Sequence, residues 1–137
     1  MKQLVLDAGP LIALFYGKDR DHAICVSGFQ QLSRSNTVLL TPIPIMYEVY
    51  KWLLQRLGTK QAQQILTTLQ ASLQPISLSE ADFLQMQAIV QSLPGWAGTL
   101  EDATVVFTAN LYNCPVWTLN YRDLGNFKPL TFWTPNS

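Results

Sequence analysis

Gln3-Leu4-Val5-Leu6-Asp7-Ala8-Gly9-Pro10-Leu11-Ile12-Ala13-Leu14-Phe15 is the stretch on which the fold turns. Its first four residues form a short apolar run suited to a buried strand. Residues 10–16 read as a helix, with Pro10 near the first turn and Gly17 past the end. Asp7 stands at the junction, immediately after the strand. A carboxylate there lies at the rim of the core, where burial is costly unless something pairs with it.

Outward from this unit, the same alternation of strand and helix continues to the end of the chain. Residues 21–34 carry Ile24, Cys25, Phe29 and Leu32 at helical spacing, and 37–40 form a second strand. The next helix opens near Pro42–Pro44 and ends before Gly58, with Ile45, Val49, Trp52 and Leu53 on its apolar face. A helix over 59–73 turns Ile65, Leu66 and Leu69 inward, and 75–78 form a third, short strand. Ser79 and Asp82 make a capping-box start for a helix to about Leu93. Pro94-Gly95 breaks the chain, and Thr99 caps a helix to about Asn113. Residues 115–118 and 130–133 supply strands four and five. One continuous pattern over 137 residues predicts a single domain, 1–137, with no linker and no internal repeat. Strands alternating with helices predict a three-layer α/β/α sandwich around a five-stranded, mainly parallel sheet.

In such a sheet, ligands bind outside the carboxyl ends of the strands. Asp7 follows strand one. Glu48 lies one turn into the helix after strand two. Asp102 lies in the first turn of the helix before strand four, and Asp123 in the loop after that strand. If helices run antiparallel to strands, all four acids reach one edge. The chain holds only nine Asp and Glu, and clustered carboxylates raise one another's pKa. A divalent cation relieves that repulsion. Mg²⁺ or Mn²⁺ suits an all-oxygen set, and the matching chemistry is in-line hydrolysis of a phosphodiester.

Composition narrows the alternatives. Hydrophobic residues make up 48% of the chain, enough for a real core, while charged residues are only 13%. The surface therefore relies on neutral polar groups, including the glutamines between Gln55 and Gln91. Nine basic residues balance nine acidic ones, so net charge does not advertise a nucleic-acid binder. Neutralising four carboxylates leaves nine positive charges against five negative, which admits a phosphate-rich substrate. Neither GxxxxGK[ST] nor GxGxxG occurs, and His22 is the sole histidine, on an acidic surface stretch. Cys25 and Cys114 lack CxxC spacing and predict free buried thiols in a reducing cytoplasm. Asp7 interrupts what would be a signal peptide's apolar core, and no run of about 18 apolar residues predicts a membrane span.

Four segments carry a family resemblance. They are Leu4-Val5-Leu6-Asp7 with the helix after it, Met46-Tyr47-Glu48-Val49, Thr99-Leu100-Glu101-Asp102-Ala103, and Trp117-Thr118-Leu119-Asn120-Tyr121-Arg122-Asp123-Leu124. In order and spacing the chain resembles a PIN-domain ribonuclease of the kind found as the VapC-type toxin of toxin–antitoxin pairs. The resemblance implies strand order 3-2-1-4-5, a Mg²⁺- or Mn²⁺-dependent endoribonuclease acting on single-stranded RNA, a small antitoxin partner and a homodimer. It implies Asp7, Glu48 and Asp102 as metal ligands. The fourth acid is Asp123 or the position of Asn120; Asp123 is favoured, with Asn120 as a helper toward water or phosphate. Ala8 stands where the family often has Ser or Thr, and Thr118 is a candidate substitute for that hydroxyl.

Each acid also has a plain structural reading. Asp102 fits a capping box with Thr99, Glu48 a pair with Lys51 or Arg122, Asp7 a helix cap, and Asp123 an ordinary loop residue. Lys51 and Arg122 lie near the acids and are candidates for phosphate contact with Asn120 and Thr118; Lys18, Arg20 and Lys128 fit the approaches or a solvated surface. Trp96 fits base stacking or packing. The helix opening near Pro44 carries more apolar residues than one core face uses, which predicts a second buried surface, for a homodimer or an antitoxin. Two functions remain: the metal-dependent ribonuclease, and a PIN-like interaction or RNA-binding module with weak or lost catalysis, motivated by Ala8, Asn120 and zero net charge.

Overall fold

A computed structural model describes residues 1–136. The chain runs β1 (Gln3–Leu6), α1 (Ala8–Phe15), α2 (His22–Arg34), β2 (Val38–Pro42), α3 (Ile43–Leu57), α4 (Thr59–Ser72), β3 (Gln74–Ile76), α5 (Glu80–Ser92), α6 (Leu100–Tyr112), β4 (Val116–Trp117) and α7 (Tyr121–Leu124). The strands form a parallel sheet in the order β3-β2-β1-β4, flanked by helices. Leu4, Val5 and Leu6 are fully buried. A central parallel strand is covered on both faces, so its apolar run does not alternate.

Parallel neighbours need long crossovers, and the helical segments supply them. Two crossovers carry the chain from β1 through β2 to β3; the third, through α5 and α6, returns it past β2 and β1 to β4. The direction of strand order therefore reverses at β1, and a crevice opens beyond the carboxyl ends of β1 and β4. Leu6 pairs with Trp117 there, and the Asp7 N–H extends the ladder by donating to the Trp117 carbonyl at 3.1 Å.

The expected fifth strand is not formed among the described residues. Its place beside β4 is taken by one parallel bridge, Val116 with Phe132. Val116 N–H donates to Thr131 O at 3.0 Å, and Trp133 N–H to Val116 O at 2.9 Å. β4 has only two residues to offer a neighbour, and Pro129 and Pro135, which carry no N–H, bound the segment. Trp133 instead packs by its side chain against Trp117, ring centroids 4.9 Å apart, with Phe29 at 4.7 Å from the same ring. Gly28 makes this stacking possible, because a Cβ there would stand 2.5 Å from the Trp117 ring.

Three smaller expectations change. The segment after β4 is not a loop throughout: α7 occupies Tyr121–Leu124 and carries Asp123. Leu66 does not turn inward; Leu69 and Ala62 fill the buried side of α4, and Leu66 is 36% exposed. Ile24 is likewise exposed, with Cys25, Gly28 and Leu32 forming the buried face of α2. Both cysteines are free thiols, Cys25 buried and Cys114 half-buried. Among the described residues no helix is long and apolar enough to cross a membrane.

Candidate active site

Asp7 ends β1 and caps α1. Its backbone is extended, with φ −83° and ψ 172°, and Oδ1 accepts the Ala8 N–H at 2.8 Å. Oδ2 accepts the Thr118 hydroxyl proton at 2.7 Å. Thr118 Oγ1 in turn accepts the Asn120 N–H at 2.8 Å. A hydroxyl has one proton, so the polarity of this chain is fixed: Asn120 donates to Thr118, and Thr118 to Asp7. Thr118 is fully buried and touches the site only through these partners. Ala8 leaves Asp7 without an adjacent hydroxyl, and Thr118 brings one from the neighbouring strand end.

Asp102 occupies the third residue of α6, where it completes a capping box. Its Oδ2 accepts the Thr99 N–H at 2.9 Å, and its own N–H donates to Thr99 Oγ1 at 3.2 Å. That bond engages one carboxylate oxygen and leaves Oδ1. Capping and a role in the site are therefore compatible readings of Asp102. Glu48 projects from the second turn of α3 and is half-buried.

These three acids and Asn120 line one pocket of about 280 Å³, closed by Ala8, Gly9, Ile12 and Leu119. Among the described residues the ion pairs are Arg20–Asp21 and Arg122–Asp123. No Lys or Arg of those residues is thus within ion-pair distance of Asp7, Glu48 or Asp102, and the suggested pairing of Glu48 with Lys51 or Arg122 does not form. The electrostatic consequence is direct. Burial pushes the Glu48 carboxyl up to about 7, helped by the charges of Asp7, Glu101 and Asp102. Burial also raises Asp7, opposed by the hydrogen bonds from Thr118 and Ala8 and assisted by Asp102. Glu101 is the member sequence reasoning passed over. It adjoins Asp102, yet only the packing of α3 beside α6 brings its field to Glu48.

Asp123 is buried but lines a different cleft, shared with Trp96, Arg122 and Asn126. Its Oδ2 accepts Asn120 Nδ2 at 3.1 Å and lies 3.4 Å from Arg122 NH2. Trp96 packs edge-on against Phe127 and donates its indole N–H to the Asp123 carbonyl at 2.9 Å. Lys51 faces away from the acids, on an apolar groove lined by Met46, Tyr47, Tyr50 and Leu66. His22 is half-buried and donates from Nδ1 to Ala13 O at 2.7 Å.

A family model for the PIN domain matches residues 4–127, a span that holds all four acids. The chain belongs to the PIN domain family. This PIN domain shares its fold with Mycobacterium tuberculosis VapC20, described as a Sarcin-Ricin loop cleaving toxin. The TM-score is 0.71 at 16% identity, over 82% of this chain and 86% of that one. VapBC2 from Rickettsia felis, solved bound to a DNA fragment from its promoter, gives 0.74 at 13% identity over 96% and 97%. A toxin–antitoxin complex from Klebsiella pneumoniae gives 0.69 at 21% identity over 98% of each chain. No curated protein sequence matches significantly.

The donor set suits a hard divalent ion. Three carboxylates and the Asn120 side chain line the pocket, with no Lys or Arg among the lining residues. Among the described residues no three His, Cys, Asp or Glu side chains are grouped so that together they could hold a metal ion. Mg²⁺ keeps several of its waters and takes one or two carboxylates directly, so the remaining acids would reach such an ion through those waters.

Proposed function

We propose that this PIN domain is a Mg²⁺- or Mn²⁺-dependent endoribonuclease that cleaves single-stranded RNA, the toxin of a toxin–antitoxin pair. The observation that carries the reading is the convergence of Asp7, Glu48 and Asp102, from three separate elements, in one pocket that contains no compensating protein charge. Family membership supports phosphodiester hydrolysis. The toxin and toxin–antitoxin descriptions of the similarly folded proteins support RNA as substrate and a small antitoxin as partner.

Asp7, Glu48 and Asp102 would hold the metal, one or two of them directly and the rest through its waters. A divalent ion held there would supply activation of water and neutralisation of charge at the leaving oxygen. The protein's part is positional. Thr118 and the Ala8 N–H clamp both oxygens of Asp7 from opposite sides, so the carboxylate keeps one orientation. The Thr99 N–H does the same for one oxygen of Asp102. Ile12 and Leu119 give the pocket an apolar wall. Arg122, with its side chain 85% exposed on the adjoining cleft, would meet an RNA phosphate as a screened and salt-sensitive contact. Lys51 faces the apolar groove and has no such place. That groove, between α3 and α4, is the surface we assign to the antitoxin or to a second copy of the chain, in the cytoplasm.

The test is cleavage of labelled single-stranded RNA by the wild type, Asp7→Asn and Glu48→Gln, with Mn²⁺ and with EDTA. Cutting by the wild type with Mn²⁺ alone, and a loss of at least about 100-fold in either variant, is the expected result. The interaction-module reading draws on Ala8, which removes a hydroxyl beside Asp7. RNA retained without cutting, equally by wild type and Asp7→Asn, would replace the ribonuclease with that module.

A further inference from the structure

Asn120 and Asp123 divide between them a role that a single acid would otherwise fill. Asn120 lines the pocket with Asp7, Glu48 and Asp102, whereas Asp123 lines the adjoining cleft. The two touch through Asn120 Nδ2 and Asp123 Oδ2 at 3.1 Å. An ionised carboxylate only accepts hydrogen bonds, so this contact decides which way the amide turns. The NH₂ end faces Asp123, and Oδ1 is left for the other side. The Asn120 backbone is held as well, because its N–H donates to Thr118 Oγ1. Arg122 offers Asp123 a contact of 3.4 Å from a side chain 85% exposed, which solvent screens.

Resting on the metal-dependent reading above, we infer that Asp123 is a positioning residue that turns Asn120 Oδ1 toward the pocket, and that Asn120 supplies the fourth oxygen of the site. The arrangement has a physical logic. Asp7 and Asp102 are buried and Glu48 half-buried in a pocket whose lining includes no Lys or Arg. A neutral amide oxygen adds a donor without adding a fourth negative charge. The buried carboxylate behind it acts as such groups do behind metal ligands, by fixing orientation.

The experiment measures Mn²⁺ binding by calorimetry on the full chain, for the wild type, Asp7→Asn, Asn120→Ala, Asp123→Asn, the Asn120→Ala/Asp123→Asn double variant and the reversed pair Asn120→Asp/Asp123→Asn. Wild-type binding lost in Asp7→Asn establishes the metal site itself; equal or absent binding in those two proteins sinks the underlying reading. Given that site, Asn120→Ala and Asp123→Asn should each weaken Mn²⁺ about 10-fold, and the double variant should be no weaker than either. The reversed pair keeps the hydrogen bond with its polarity exchanged and returns affinity to the wild-type level or tighter. Losses that multiply to about 100-fold in the double variant, or a reversed pair as weak as Asp123→Asn, overturn the assignment. Folding does not hinge on the Asp123 carboxylate, since Trp96 Nε1 and Asn126 Nδ2 hold its backbone carbonyl at 2.9 and 3.2 Å. A residue acting on stability alone would lower the melting temperature and show no rescue.

Discussion

Glu48 is the residue at which burial and charge oppose each other most openly. Its folded pKa of about 7 lies above the 4.5 of the free group. The native state therefore holds more protons than the unfolded chain between those values, and stability falls as pH rises through that window. Above about 7 the ionised group is at its most unfavourable. Glu48→Gln should accordingly raise the melting temperature in EDTA at pH 8 and leave it nearly unchanged at pH 4.5. The side chain is only half-buried, so solvent screening holds the effect to on the order of 1 kcal/mol. Mn²⁺ should stabilise the wild type at pH 8 and do little for the variant. Differential scanning calorimetry decides the matter; a variant less stable than wild type at pH 8 without metal would refute it. Asp7 shows the opposite solution at the same scale, with one hydrogen bond on each oxygen offsetting part of the burial. Ala8 stands where the family often has Ser or Thr, and the substitute named from the sequence, Thr118, brings its hydroxyl to Oδ2 from the neighbouring strand end.

At the scale of elements, the chain carries two capping boxes of the same design. Ser79 with Asp82 opens α5, and Thr99 with Asp102 opens α6. Only the second borders the pocket. Ser79→Ala and Thr99→Ala should each cost about 1 kcal/mol by urea denaturation. Thr99→Ala should in addition weaken Mn²⁺ binding, because Asp102 loses the hydroxyl that holds its own N–H; Ser79→Ala should leave binding alone. Equal effects on metal in the two variants would mean that Asp102 caps and does nothing more. Helix α7 makes a related point. Four residues are too few for a periodic signal, so the segment read as a loop. Tertiary partners hold it instead: the Trp96 indole bonds the Asp123 carbonyl across 27 positions of sequence.

For the molecule as a whole, strand order creates the crevice, and helix packing creates a second surface. The groove between α3 and α4, about 710 Å³ and mostly apolar, exposes Tyr47 to 71% and Leu66 to 36%. Apolar spacing places Leu66 on an inward face, but the core is already filled by Leu69 and Ala62. An aromatic side chain so exposed contributes little to the monomer and much to an interface. Tyr47→Lys should therefore leave the melting temperature of the isolated chain within about 2 °C and weaken association at least 10-fold. Sedimentation of the chain alone, and with the proposed antitoxin, reads both states. Unchanged association would place the interface elsewhere.

Much of this protein was legible in one dimension. Apolar period, Pro and Gly punctuation and the two capping boxes are local properties, and they located four strands and six helices to within a few residues. Asp7, Glu48 and Asp102 could be brought to one edge on paper because parallel strands joined by helices leave their carboxyl ends together. What needed three dimensions was every feature set by neighbours remote in sequence. The fifth strand shrank to a bridge because β4 offers only two residues for pairing. Thr118 was a candidate from the sequence, but which oxygen of Asp7 it meets was set by strand pairing, and Glu101 entered the field at Glu48 through packing alone. Asp123 turned out to stand behind Asn120, since a four-residue helix pinned by Trp96 chooses which of two nearby side chains faces the pocket. Spacing along a chain says that a side chain can reach an edge; only the packed neighbours decide which atom arrives there.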